Sequence, residues 1–161
     1  MSKKEKEART NVMRLLDRAK IPYESREYAY TEEDLSGVHA AEALGFPCRM
    51  VFKTLVLHGD KTGYFVCCIP VDQEIDLKKA AALSGNKKAE LLHVKELLPL
   101  TGYLRGGCSP IGMKKQFPTW IHESAEEEER ISISAGQRGV QVLLSPKELA
   151  KYIGAQFGAL L

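Results

Sequence analysis

The first apolar positions with a clear period are Val12, Leu15 and Leu16, spaced for one face of a helix. The spacing predicts a helix over residues 5 to 19 that ends before the Ile21-Pro22 step. Tyr23 to Tyr28 then reads as a short strand. Ser36 stands where a cap is needed for a second helix over residues 36 to 44, with Ala40, Ala41, Ala43 and Leu44 inside it and Gly45 as its stop. Beyond that point the pattern changes. Met50 to His58 and Tyr64 to Val71 are dense in branched apolar residues and flank the turn Gly59-Asp60-Lys61-Thr62-Gly63, which predicts a hairpin of two buried strands.

Asp76 is placed to cap a helix from Leu77 to Leu83 closed by Gly85, and His93 to Leu98 predicts another short one. Thr119 to His122, Arg130 to Ser134 and Val140 to Leu144 read as three strands, the last two joined by Gly136-Gln137-Arg138-Gly139. Ser145-Pro146-Lys147-Glu148 has the form of a helix start: Ser as cap, Pro at the first helical position and Glu at the capping-box position. The helix it opens carries Leu149, Tyr152 and Ile153. Hairpins mixed with single helices, and no repeat, predict an α/β chain of the α+β kind. Its expected form is a single mixed, mostly antiparallel sheet, curved or barrel-like, with helices packed around it.

At 161 residues, 44% hydrophobic and 27% charged, the chain suits one domain over residues 1–161 and excludes collagenous or disordered classes. No apolar run reaches the roughly 18 residues of a membrane span. The charged start, Met1 to Arg9, has no secretory pattern, so a cytoplasmic location is expected. Cys48, Cys67, Cys68 and Cys108 lack metal or disulfide spacing, and His39, His58, His93 and His122 are scattered; free thiols and no metal or cofactor are expected. Net charge is only +2, but it is unevenly distributed. Residues 1 to 20 hold seven basic side chains against three acidic, residues 101 to 120 hold Arg105, Lys114 and Lys115 with no acid, and acid is concentrated in Glu123 to Glu129. Such patches suit local contact with a polyanion, and equally a solvated surface.

Two features invite chemistry. On a strand, Lys53 shares a face with Val51, Leu55 and Leu57, while Phe52, Thr54, Val56 and His58 share the other. A lysine on an apolar face must meet an anion or a pocket mouth, or else snorkel from an edge. The second feature is Thr101 to Lys115, with Gly102, Gly106, Gly107, Gly112 and Pro110 in fifteen residues and Lys114-Lys115 at its end. Glycines let a backbone approach a ligand and turn its N–H groups toward an oxygen; the same composition also makes a plain surface loop. A nucleophile and base built from Cys108, Ser109 and His122 has no supporting motif: no G-x-S-x-G occurs. Neither the dinucleotide G-x-G-x-x-G nor the phosphate loop G-x-x-x-x-G-K-[ST] is in place.

Phe52-Lys53-Thr54-Leu55, the block Thr101 to Lys115, and Gly136-Gln137-Arg138-Gly139 before a strand resemble the YbaK/EbsC family of free-standing aminoacyl-tRNA deacylases, relatives of the editing domain of bacterial prolyl-tRNA synthetases. The order and spacing agree from the first helix through Leu149-Ala150-Lys151. The resemblance implies release of a wrongly attached amino acid, cysteine above all, from tRNA(Pro). Such a second site is needed because one group on a small side chain is worth only about 1–3 kcal/mol of discrimination. It implies Lys53 as the residue that holds the terminal adenosine and its phosphate, and Gly106 to Pro110 as the source of backbone donors near the ester carbonyl, with Gly106 and Gly107 foremost. Tyr28, Thr54, Ser109, Pro110, Gln141, Lys114 and Lys115 follow as substrate-binding positions. With orientation and electrostatics supplied, a cysteinyl thiol or the ribose hydroxyl can assist, and no protein nucleophile is required. The partners implied are tRNA and, beyond it, prolyl-tRNA synthetase.

One position departs from the pattern. Two residues after the G-x-R-G turn the cysteine-type members carry aspartate, and this chain has Gln141, an amide that accepts a hydrogen bond but brings no charge. Two further readings therefore stand beside the first: a non-catalytic tRNA- or synthetase-binding module, and a deacylase for Ala-tRNA(Pro) or another small amino acid.

Overall fold

The computed structural model describes residues 9–161, so residues 5 to 8 of the first expected helix, and the basic Lys3, Lys4 and Lys6, lie outside the described residues. Helix α1 is Asn11–Ala19; the Thr10 hydroxyl accepts from the Met13 N–H at 3.2 Å to cap it, and the chain leaves through Lys20 before Ile21-Pro22. Helices α2 (Gly37–Leu44) and α3 (Leu77–Ser84) begin on Ser36 and Asp76 and stop at Gly45 and Gly85, as their cap residues predict. Helix α4, Val94–Thr101, runs past the expected Leu98 and through Pro99, which falls within the last turn. Helix α5, Pro146–Ile153, starts on the Ser145 cap.

The expected hairpin is β2 (Phe52–Gly59) with β3 (Gly63–Pro70), antiparallel along its whole length. It forms the centre of a five-stranded sheet of order β4-β2-β3-β5-β8, in which β4 is Ala89–Leu91, β5 is Thr119–His122 and β8 is Gln156–Gly158. The β3-β5 and β5-β8 pairs are parallel. A second, antiparallel sheet has the order β1-β7-β6, from Glu24–Glu27, Val140–Leu144 and Ile131–Ser134. The mixed, mostly antiparallel character holds; the single sheet does not. Among the described residues the two sheets meet at one isolated parallel bridge, Val51 to Ser132, and no closed barrel forms. The two edges of β2 are shared out: β3 takes one along its whole length, with the Val51 carbonyl accepting from Val71 N–H at 2.9 Å, and β4 takes the other at Leu57–Gly59, which leaves β6 a single ladder bridge beside Val51.

The main core fills the space between the sheets. Phe52, Val56, Val66 and Cys68 meet Ile131, Ile133, Val142 and Leu144, with Val12 and Leu16 of α1 and Leu149 and Ile153 of α5 closing the sides. A smaller core lies behind the large sheet, where Leu57, Phe65, Cys67 and Ile69 pack on Ala80 of α3 and on Leu160. Adjacent Cys67 and Cys68 thus serve opposite faces, as period-two geometry requires, and both are free thiols. Truncating a wholly buried side chain such as Ile133 to alanine costs about 2–5 kcal/mol. No helix of the described residues is long and apolar enough to cross a membrane.

Candidate functional site

The site follows from the parting of the sheets. Val51 uses its carbonyl toward β3, and Val56 O accepts from Leu92 N–H at 2.9 Å on the opposite edge, so backbone groups alternate and those of Thr54 point away from β3. β4 pairs with β2 only at Leu57–Gly59. Between that pairing and the Val51 bridge the β2 edge is open, and it forms one wall of a cleft of about 410 Å³. Tyr28, Ser134 and Gln141 of the smaller sheet and its flank form the opposite wall. Arg105, Gly106 and Cys108 contribute from the glycine-rich loop, and Leu91, Leu92, Val94 and Leu97 give an apolar side. The N-terminal turn of α2, at Ser36 and Gly37, completes the rim.

Five residues singled out in the sequence come together here: Lys53, Thr54, Gly106, Tyr28 and Gln141. Five lie outside the lining. Ser109 is wholly buried, its hydroxyl accepting from Ile111 N–H at 3.3 Å to shape the loop, and Pro110 is buried beside it. Lys114 is exposed and its ammonium donates to the Pro99 carbonyl at 3.3 Å, at the end of α4; Lys115 is exposed. Gly107 corrects the expectation of a free backbone donor, since its N–H is taken by the Leu104 carbonyl at 2.9 Å. Its lack of a side chain serves the fold instead: a Cβ there would stand 3.0 Å from Arg138 N and 3.1 Å from Gln137 C. The N–H groups of Gly106 and Cys108 have no intramolecular acceptor among the described residues. Gly106 sits at φ +84°, with Leu35 Cβ 3.0 Å from where a Cβ would be.

Charge in the cleft has one sign. Lys53 and Arg105 line it, no carboxylate does, and neither cation is in an ion pair among the described residues. Burial raises the Tyr28 phenol above its ordinary pKa, against a smaller opposing pull from the neighbouring Gly139 backbone and Gln141 side chain. Burial, reinforced by neighbouring Cys68, pushes the Cys108 thiol up to about 12, so it stays protonated at neutral pH and is a poor nucleophile. His122 is remote from this chemistry: its Nδ1 accepts from Leu160 N–H at 3.1 Å and ties down the C-terminal segment. No group of three or more potential metal ligands occurs among the described residues.

Sequence reasoning missed Ser134 and the apolar side. Ser134 had a signal, because Ile131-Ser132-Ile133-Ser134 alternates strictly and puts both serines on the face away from the core isoleucines. Leu91, Leu92 and Val94 had none, since they reach the cleft through a three-residue strand and the turn after it.

Comparison with known proteins agrees with this architecture. Residues 33–152 match the model of the aminoacyl-tRNA editing domain. A protein of Enterococcus faecalis named "Putative Cys-tRNA(Pro)/Cys-tRNA(Cys) deacylase EbsC" is 50% identical over 157 residues, covering 98% of this chain and 96% of that one. A proline--tRNA ligase of Thermosipho africanus is 29% identical over 89 residues, 55% of this chain and 16% of the ligase. Among solved structures, "Crystal structure of a putative trans-editing enzyme for prolyl tRNA synthetase" superposes with a TM-score of 0.75 at 26% identity, over 86% of this chain and 85% of that one. On the domain match and the half-identical, full-length relative, this chain belongs to the aminoacyl-tRNA editing domain family.

Proposed function

We propose that this protein, acting as one editing domain over residues 1–161, is a trans-editing deacylase that removes a mischarged amino acid, cysteine, from tRNA(Pro). The observation that carries the reading is the cleft itself: it is cationic, free of carboxylates and set beside an open strand edge, as a site for the acylated 3′ end of a nucleic acid should be. The name of the half-identical relative supplies the amino acid.

In this reading Lys53 meets the phosphate of the terminal adenosine and fixes the 3′ end, with Arg105 adding charge at the loop side. The free N–H of Gly106, with that of Cys108, faces the ester carbonyl and stabilises the negative charge that grows on its oxygen. Tyr28, Thr54 and Gln141 orient the aminoacyl group. Ser109, Pro110 and Gly107 hold the loop in shape, and Lys114 and Lys115 meet the phosphates of the acceptor stem. The thiol of a cysteinyl ester, or water, attacks the carbonyl carbon. The bond to the ribose oxygen breaks, and that oxygen leaves with a proton. A thiol as raised in pKa as Cys108 gives no covalent alternative. The substrate places the protein in the cytoplasm, where prolyl-tRNA synthetase, whose relatives carry a matching segment, is a natural partner.

Release of labelled amino acid from Cys-tRNA(Pro), Ala-tRNA(Pro) and Pro-tRNA(Pro) tests the reading. Selective loss of cysteine is expected. Selective loss of alanine would keep the enzyme and change its substrate, and salt-sensitive tRNA binding with no release would make it a binding module.

A further inference from the structure

The cleft is divided along its length. The open edge of β2 runs from the Val51 bridge to the Val56 carbonyl, where Leu92 N–H closes it, about 17 Å of strand. At the Val51 end stand Tyr28, Ser134 and Gln141 of the smaller sheet and its flank, and the glycine-rich loop joins them because Gly107 packs on the Gln137-Arg138 backbone of the β6-β7 turn. At the Val56 end the side chains are Leu91, Leu92, Val94 and Leu97, with no charge, amide or hydroxyl among them. Leu92 and Leu97 rest against the main core, which fixes this surface, whereas Leu91 and Val94 leave 48% and 60% of their area to water. β4 is the edge strand of its sheet, so no further strand covers Leu91. Apolar area held open to water beside a ligand cleft gains when the ligand covers it.

A cysteinyl group is too small for the space. About 410 Å³ falls within the roughly 300–1,000 Å³ of sites that hold a whole drug-sized ligand, and a nucleoside is of that size. We propose that Leu91 and Val94, backed by Leu92 and Leu97, form a shelf on which the face of the terminal base of the tRNA 3′ end packs. The proposal rests on the editing reading above, which sets the ester carbonyl at the Gly106 end. The base lies across the ribose from the ester, so it falls at the Val56 end. A shelf without polar side chains takes a base by its flat face and reads none of its edge.

The test measures binding of two uncharged tRNA(Pro) acceptor minihelices, one ending in adenosine and one in an abasic ribose, to wild type, Leu91→Thr, Val94→Ser and the double variant. Both side chains are exposed, so the variants should melt with wild type. Wild type should bind the adenosine end about tenfold tighter than the abasic end. Each single variant should lose about fivefold on the adenosine end and nothing on the abasic end, and the double variant should lose the preference. Fivefold is the low end of what removing a stacking side chain costs, as suits an aliphatic surface. Equal loss on both ends, or loss on neither, would overturn the shelf. So would unchanged minihelix binding with a loss confined to prolyl-tRNA synthetase, which would give the surface to a protein partner. Release of cysteine from Cys-tRNA(Pro) by wild type separates the two readings. Release without any adenosine preference fails the shelf alone, and a preference that the double variant abolishes, with no release, fails the editing reading alone.

Discussion

Arg138 Nε donates to the Arg105 carbonyl at 2.8 Å, so the turn between β6 and β7 holds the glycine-rich loop at the residue where it enters the cleft. The same guanidinium lies 3.9 Å from Glu32, and Gly107 packs against the Gln137-Arg138 backbone. Arg138→Ala should loosen the loop more than it weakens the fold. We expect Tm to fall by about 2–4 °C, from roughly 1 kcal/mol in a chain of this length. Deacylation should fall about tenfold in kcat/KM through misplaced donors. Thermal melts and steady-state rates on the same samples check both.

Gly106→Ala puts a side chain on a backbone at φ +84° and 3.0 Å from Leu35 Cβ. A left-handed conformation costs an ordinary residue about 1–2 kcal/mol, so the loop relaxes and its free N–H leaves the cleft. Activity should drop by about 10²-fold, the loss typical of one oxyanion donor. Gly63→Ala, also at positive φ but with nothing within 4 Å, should strain the β2-β3 turn without touching turnover.

Cys108 lines the cleft but should be inert. Cys108→Ala is expected to retain activity within about threefold, and rapid-quench experiments should find no acyl-enzyme burst. Burial pushes both Cys108 and Cys68 up to about 12 from 9.0. The folded state therefore favours the neutral thiols: their contribution to stability is complete below pH 9 and is lost as pH rises from 9 toward 12. Melts between pH 7 and 11 should show Tm falling above pH 9, and less steeply in Cys108→Ala.

Lys114 and Lys115 are exposed outside the cleft, in a segment that contains no carboxylate between Thr101 and Trp120. If they meet the acceptor stem, replacing both by glutamine should weaken tRNA binding and reduce the slope of log K against log salt by about 2. An unchanged slope would place those charges elsewhere.

The elements that carry their own punctuation were readable from the chain. Ser36, Asp76 and Ser145 each cap the helix they announce, Gly45 and Gly85 end theirs in left-handed conformations, and the β2-β3 hairpin turns where its polar five residues stand. What escaped was set by partners distant in sequence. β8 is three residues that become a strand only because β5 offers an edge, and β4 is equally short. The division into two sheets turns on how the edge of β2 away from β3 is shared between β4 and β6, which no local pattern states. The site divides the same way. Lys53 stood out because a charge interrupted an apolar face. The occupied Gly107 N–H did not, because it depends on how the loop folds back on Leu104.

Single-turnover release of cysteine from Cys-tRNA(Pro) by wild type and Lys53→Ala, with matched melts, tests whether a cationic cleft organised by Lys53 releases the amino acid. Wild type should release cysteine, Lys53→Ala should lose about 10²–10³-fold, and Tm should be unchanged. Full activity in Lys53→Ala would contradict that role for Lys53.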